Sequence, residues 1–153
     1  MKFFALVAAA AASKSQFPSF DTFHANCQMT HTIAQDCGNV YPILDSALKN
    51  GFKDPAGGDY ALKEDGLNDY VWVTRTTPVK HYVDDIIFEL SSVSGGCAVN
   101  MRSRSETLSV YDYSTNYCNM YNVLRETFNV KFGDVSVSKC NYPAADLATC
   151  DKY

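Results

Sequence analysis

Residues 102–107 and the segment that follows them have the residue types and spacing of an anion-binding site. If this stretch is a strand, Arg102 and Arg104 lie on one face, because side chains alternate along a strand. The strand would lead into a helix that begins near Asp112. A helix N-terminus presents free N–H groups and a partial positive charge, both of which favour anions. Two guanidinium groups beside it would add paired donors for a carboxylate or phosphate.

Two asparagines extend this candidate site. Asn116 and Asn119 stand one helical turn apart and could line the same rim. A purely structural reading of the segment is the alternative. Asp112 or Ser114 would then be an ordinary helix cap. The two arginines would form ion pairs with acidic residues of a neighbouring strand, namely Asp84, Asp85 or Glu89.

The remaining candidates for chemistry are fewer. Two close carboxylates can act as acid and base, but Asp84 and Asp85 are neighbours on a predicted strand and would point to opposite faces. A role in a turn, or an ion pair with Arg75, is the favoured interpretation of this acidic pair. The three histidines, His24, His31 and His81, show no spacing that demands zinc. No Gly-x-Ser-x-Gly motif or glycine-rich phosphate loop is present, so we predict neither metal nor cofactor.

Hydrophobic periodicity predicts the elements that must position these residues. The pattern favours a first helix from Asp21 to about Asp36 and a second with Pro42 in its first turn, ending at Asn50-Gly51. Strands are predicted at Tyr60–Lys63, Asp69–Thr76, Tyr82–Leu90, Cys97–Val110 and Lys131–Val137. An amphipathic helix is predicted near residues 114–127. The fold class is therefore α+β, with an antiparallel sheet of about four to five strands, N-terminal helices and one helix packed on the sheet.

The six cysteines indicate a disulfide framework. No Cys-x-x-Cys pair suggests a zinc site, and an even count in a small exported domain is typical of three disulfides. Six cysteines allow 15 pairings, which the sequence alone does not resolve. We expect pairs between sequence neighbours: Cys27–Cys37, Cys97–Cys118 and Cys140–Cys150.

Length and composition define the class of protein. A chain of 153 residues corresponds to one domain, and its net charge of −4 argues against non-specific nucleic-acid binding. Residues 1–12 have one lysine, a short apolar run and small residues at the end, the pattern of a signal peptide. No segment has the length of a membrane span. We therefore predict a single secreted domain over residues 13–153, of undetermined oligomeric state.

The middle third of the chain resembles a known family. The segments Tyr70–Leu90 and Asn100–Leu124 are similar to the domain-of-unknown-function family numbered 1499, which has an Arg-Thr strand, an Asp-Asp segment and a Ser-x-Ser-Arg…Asp…Asn stretch before a helix. The matching positions are Arg75, Asp84, Asp85, Ser103, Arg104, Asp112 and Asn116. Tyr117-Cys118 departs from the pattern, which tends to have a basic residue there. The resemblance implies a role for these positions without naming a reaction.

Three hypotheses on function remain open. The first is a non-catalytic module that binds a small anionic or amphipathic ligand through Arg75, Asp85, Arg102, Arg104, Asp112, Asn116 and Asn119. The second is a secreted hydrolase or lyase that uses aspartate and arginine groups. The third is a structural or cell-surface component without a pocket.

Overall fold

The computed structural model describes residues 14–153 and contains a six-stranded antiparallel sheet. The strands are β1 (Asn26–Ile33), β2 (Asp59–Asp65), β3 (Tyr70–Thr76), β4 (Val83–Val93), β5 (Gly96–Ser105) and β6 (Ser136–Cys140), in the spatial order β2-β3-β4-β5-β1-β6. The helices are α1 (Cys37–Lys49), α2 (Thr115–Phe128) and α3 (Leu147–Cys150). The α+β class is confirmed, with more strands than predicted. The predicted signal peptide, residues 1–12, lies outside the described residues.

The predicted helix from Asp21 to Asp36 is wrong, because this segment contains β1. Its core-facing residues follow a period of two, with Cys27, Met29 and Ile33 all buried. The strand pairs with β5 on one side and β6 on the other, so both edges of its backbone are hydrogen-bonded. These long-range partners decide the conformation, since a short apolar pattern is ambiguous between helix and strand.

The other predicted elements are present with shifted boundaries. Strand β5 ends at Ser105 rather than Val110, and the last strand lies at 136–140 rather than 131–137. Helix α1 begins at Cys37, which places Pro42 inside the helix rather than in its first turn. Pro42 is exposed, so the backbone acceptor that it leaves without a partner can be solvated.

Helices α1 and α2 pack on the same face of the sheet and form the main core with it. Leu44 and Leu48 of α1 and Met120 and Leu124 of α2 are 0–1% exposed. None of the helices within residues 14–153 is long and apolar enough to cross a membrane.

The opposite face of the sheet has a smaller apolar cluster. The N-terminal segment places Phe17 on this face, where its ring lies 5.3 Å from that of Trp72. Tyr70 and Ile87 complete the buried cluster, and Phe20 packs against it. The chain that precedes β1 therefore covers part of the second face.

Three disulfides are present, but the expected pairing between sequence neighbours is wrong. The bonds are Cys27–Cys140, Cys37–Cys97 and Cys118–Cys150, with sequence separations of 113, 60 and 32 residues. Each joins elements that are distant in the chain and adjacent in the fold: β1 to β6, α1 to β5, and α2 to α3. Sheet register and helix packing decide this pairing, because a disulfide requires its two Cα atoms within about 7 Å.

Candidate functional site

Four polar residues form a row across the helix-covered face of the sheet. The strand register places Tyr60 opposite Arg75, Arg75 opposite Asp84, and Asp84 opposite Ser105. All four are at most 5% exposed. Burying a polar side chain is costly unless it has a hydrogen-bond partner. The partners of these four residues therefore determine which of them remain able to bind a ligand.

Arg75 is held by a buried ion pair. Its Nε donates to the Asp54 carboxylate at 2.6 Å, and the two side chains are 1% and 0% exposed. Asp54 also accepts hydrogen bonds from the Gly58 backbone N–H at 2.8 Å and from the Tyr60 hydroxyl at 3.4 Å. A Cβ atom at Gly58 would lie 2.3 Å from Arg75 Nε, so this close approach requires glycine. The guanidinium group is therefore fixed and its charge is matched.

Asp84 lies beside this pair and is itself buried. Its carboxylate accepts a hydrogen bond from Asn119 Nδ2 at 2.9 Å, and the Ser105 hydroxyl also hydrogen-bonds to it. Burial raises the pKa of Asp84 above its ordinary value, and these two hydrogen bonds and the charge of Arg75 only partly oppose the effect. Within residues 14–153, no lysine or arginine forms an ion pair with it.

Asp112 caps helix α2 from the preceding loop. Its carboxylate accepts from the backbone N–H groups of Ser114 at 3.2 Å and Asn116 at 3.0 Å, and from Asn116 Nδ2 at 2.7 Å. Burial raises the pKa of Asp112, and these hydrogen bonds oppose the shift. The helix N-terminus that the sequence suggested for an external anion is therefore already occupied by a carboxylate of the chain itself.

Asparagines of α2 connect the helix to this row. Asn116 donates to the Ala25 carbonyl and to Ser105 Oγ, both at 3.1 Å, and Ser103 Oγ donates to Asn116 Oδ1 at 2.7 Å. Asn119 donates to Ser103 Oγ at 3.1 Å as well as to Asp84. Both asparagines are 0% exposed. They support the polar row from behind rather than forming the rim that the sequence suggested.

A cavity of about 960 Å³ lies above the polar row. Its polar lining includes Arg75, Asp84, Ser105 and Asp112. Its other walls come from the loop after β3, the loop before α2 and the C-terminal residues, and they comprise Thr77, Pro78, Val79, Lys80, Tyr82, Leu108, Val110, Tyr111, Tyr113, Lys152 and Tyr153 among others. Ala56, from the loop before β2, also lines the cavity, which thus combines a buried polar floor with walls from four irregular segments.

Apolar side chains around the cavity are unusually exposed. Val79 and Leu108 are 80% and 79% exposed, and Tyr111 and Tyr113 are 68% and 69% exposed. Tyr113 adopts a left-handed backbone conformation with φ of 53°, which is uncommon for residues other than glycine. Exposed apolar groups concentrated on one concave surface typically mark a site of interaction.

The structure separates the seven candidate residues of the sequence analysis. Arg75 and Asp112 line the cavity, whereas Asn116 and Asn119 lie behind its floor. Three candidates lie on the opposite face of the sheet, because their strand positions alternate with those of the polar row. They are Asp85, Arg102 and Arg104.

These three opposite-face residues are held in ion pairs. Asp85 accepts from Lys63 Nζ at 2.7 Å and from the Trp72 indole N–H at 2.8 Å, not from Arg75 as favoured from the sequence. Arg102 pairs with Glu89 at 3.1 Å, one of the expected partners.

Arg104 pairs with Asp21 at 2.8 Å, a partner that the sequence analysis did not consider. This bond and those from His24 hold the pKa of the Asp21 carboxyl well below its usual range. The structural reading of the arginine strand is therefore confirmed for Arg102, whereas the partner expected for Arg104 is wrong, because Asp21 lies in the segment before β1.

Sequence reasoning missed several residues of the cavity. Asp54 and Tyr60 carry no motif: strand register places Tyr60 opposite Arg75, and the loop before β2 brings Asp54 to the guanidinium group. Leu108 and Val110 fall within the predicted strand Cys97–Val110, so only the end of β5 at Ser105 shows that they belong to a loop.

Comparisons with known proteins add little to this geometry. The sequence matches no protein-family model and no curated protein. The chain is similar in structure to the crystal structure of protein CV1439 from Chromobacterium violaceum, with 10% sequence identity and a TM-score of 0.43. That similarity covers 69% of this chain and 93% of the other. At this identity and TM-score, it assigns neither a family nor a function.

Proposed function

We propose that this protein is an exported, non-catalytic binding module whose cavity holds a small amphipathic ligand. The single observation that carries the proposal is the cavity itself, with buried polar groups at its floor and exposed apolar groups around it. Ligand sites are typically concave and mostly apolar, with a few fixed polar groups that orient the ligand. The three disulfides support export, since such bonds persist in oxidising compartments.

The apolar walls would supply most of the affinity. Covering exposed apolar surface contributes about 25 cal/mol for each Å² removed from water. Leu108, Val110 and Val79 are all more than half exposed, so a bound apolar group would bury surface that the free protein leaves in water. A purely structural component gives no reason to gather these residues around one cavity.

The polar floor would supply orientation. Arg75 is fixed by Asp54, and Asp84 by Asn119 and Ser105, so their positions are set before a ligand arrives. Preorganised groups reduce the entropy cost of binding. An anion is disfavoured at this floor, because the arginine is already paired and Asp112 occupies the helix N-terminus.

The proposal is tested with N-phenyl-1-naphthylamine, a neutral amphipathic fluorophore whose emission increases in apolar sites. We expect saturable binding by the disulfide-bonded protein. The substitution Leu108→Asp should weaken it at least about tenfold, because a charge in the cavity wall opposes burial of the probe.

Leu67→Asp is the matched control. Leu67 and Leu108 are both 79% exposed leucines, but Leu67 lies in the turn between β2 and β3, away from the cavity. The control should bind the probe as the unaltered protein does. Equal binding by both variants, or no binding by the unaltered protein, would reject this cavity as the site.

A further inference from the structure

The charges at the cavity floor do not balance. Arg75 is neutralised by Asp54 at 2.6 Å, which leaves Asp84 and Asp112 without an ion-pair partner among residues 14–153. Among the described residues, the donors to each carboxylate are neutral: amide, hydroxyl or backbone N–H groups. Both carboxyls line the cavity. A buried charge is costly without a counter-charge, so this floor is complementary to a cation.

We propose, resting on the binding function above, that the polar end of the ligand is a primary ammonium group that contacts Asp84 and Asp112. An ammonium offers three donors, and an ionised carboxylate has about four acceptor positions. Each carboxylate accepts fewer hydrogen bonds from the protein than it has acceptor positions, so positions remain for a ligand. The ligand class is therefore an amphipathic amine, with its apolar part against the cavity walls.

The aromatic walls support the same class. Four tyrosines line the cavity: Tyr82, Tyr111, Tyr113 and Tyr153. The rings of Tyr113 and Tyr153 stack with their centroids 6.2 Å apart. Aromatic faces attract ammonium groups through the ring quadrupole, and the attraction grows when water is excluded. Aromatic walls above unpaired carboxylates therefore favour a cation over an anion of similar size.

The other charged groups near the floor do not reverse this preference. Lys80 and Lys152 also line the cavity, but both are exposed, so solvent and salt screen their charges. Tyr60 is buried, and burial raises its pKa well above the ordinary value, so it stays neutral. Arg75 and Asp54 cancel each other. Within residues 14–153, the ionisable groups of the floor that lack a charged partner are therefore the two carboxyls.

This arrangement predicts that binding releases protons at any pH where the carboxyls of the free protein are still partly protonated. Burial raises the pKa of both carboxyls in the empty cavity, and a bound ammonium would favour their ionised forms. Affinity for an amine should therefore increase as pH rises through the range in which the carboxyls ionise. A neutral ligand with the same apolar chain should show no such increase.

The test compares three compounds with the same ten-carbon chain: decylamine, decanol and decanoate. Each is titrated against the N-phenyl-1-naphthylamine complex, the two ionic compounds below their micelle concentrations and decanol below its solubility limit. We expect decylamine to bind at least about tenfold more tightly than either of the others at pH 7. The substitution Asp84→Asn should remove this preference while decanol affinity stays the same, since the shape of the side chain is kept.

Asp85→Asn is the matched control. Asp85 is the next residue and is equally buried, but it lies on the other face, bonded to Lys63 and Trp72. This variant should keep the preference for decylamine. If Asp84→Asn does not fold, calorimetric titration of the unaltered protein in two buffers of different ionisation enthalpy measures the released protons directly.

The outcomes separate the two proposals. Equal affinity for the three compounds, tighter binding of decanoate, or decylamine binding that releases no proton at any pH at which the protein is folded would overturn the ammonium assignment and leave the cavity as an amphipathic site. If no compound binds and the fluorophore does not bind either, the binding function itself is wrong.

Discussion

The buried ion pair beneath the cavity gives the sharpest stability prediction. Asp54→Asn keeps the size of the side chain and retains an acceptor for the Gly58 backbone N–H. It removes the negative charge that lies 2.6 Å from Arg75, in a place where neither side chain is more than 1% exposed. The substitution therefore leaves a guanidinium group buried without its ion-pair partner.

The expected cost follows from that burial. Removing one member of a buried ion pair costs about 3–5 kcal/mol, because the remaining charge is uncompensated. Arginine does not deprotonate to relieve this cost. Asp84 still stabilises the positive charge of Arg75 electrostatically in the variant. We therefore expect a loss of unfolding free energy at the lower end of this range, about 3 kcal/mol. For a chain of 153 residues this corresponds to a decrease of roughly 6–12 °C in melting temperature.

Urea unfolding at pH 7, with the disulfides intact, measures the change in the free energy of unfolding. The control is Asp59→Asn, which removes an aspartate from its ion pair with Lys53 at 2.9 Å, where the two side chains are 66% and 67% exposed. Exposed pairs contribute about 0–1 kcal/mol, so this variant should be nearly unchanged. A loss of less than about 1 kcal/mol for Asp54→Asn would refute the reasoning that burial makes this pair indispensable.

Two further variants test how the N-terminal segment and the C-terminal tail are held. Phe17→Ala should lower the free energy of unfolding by about 3 kcal/mol, because a ring that is only 5% exposed is lost from the second sheet face. The fluorescence of Trp72, which this ring contacts, should shift to the red. Phe23→Ala is the control, since Phe23 is 67% exposed, and it should change neither quantity. Replacing both Cys118 and Cys150 with alanine should cost about 3.7 kcal/mol by the chain-entropy relation for a 32-residue loop. Binding of the fluorophore should weaken as well, because this bond anchors the tail that forms one cavity wall. If the free energy of unfolding does not change, packing alone holds the tail.

Local patterns in the sequence were sufficient for several elements. The run Asp69–Thr76 is rich in β-branched and aromatic residues, and β3 lies at Tyr70–Thr76. The helical spacing after Asn116 predicted α2 within a residue or two. These segments have propensity, periodicity and flanking signals that agree, so neighbouring residues alone specify them.

The segment from Asp21 to Asp36 shows where local reasoning fails. Its apolar residues fit a helical face as well as a strand face, and only pairing with β5 and β6 decides between them. Disulfide pairing has the same origin. Cys27 meets Cys140 because β1 and β6 are neighbours in the sheet, although 113 residues separate them in the chain.

By itself, the sequence determined the α+β class and the presence of three disulfides, and it named Arg75 and Asp112 only as candidates. Tertiary structure decided which of the polar residues share a face. Strand register places Arg75 and Asp84 above one side of the sheet and Asp85 and Arg104 on the other. The physical reason is that side chains alternate along each strand, while register between strands depends on contacts distant in sequence, which no local pattern records.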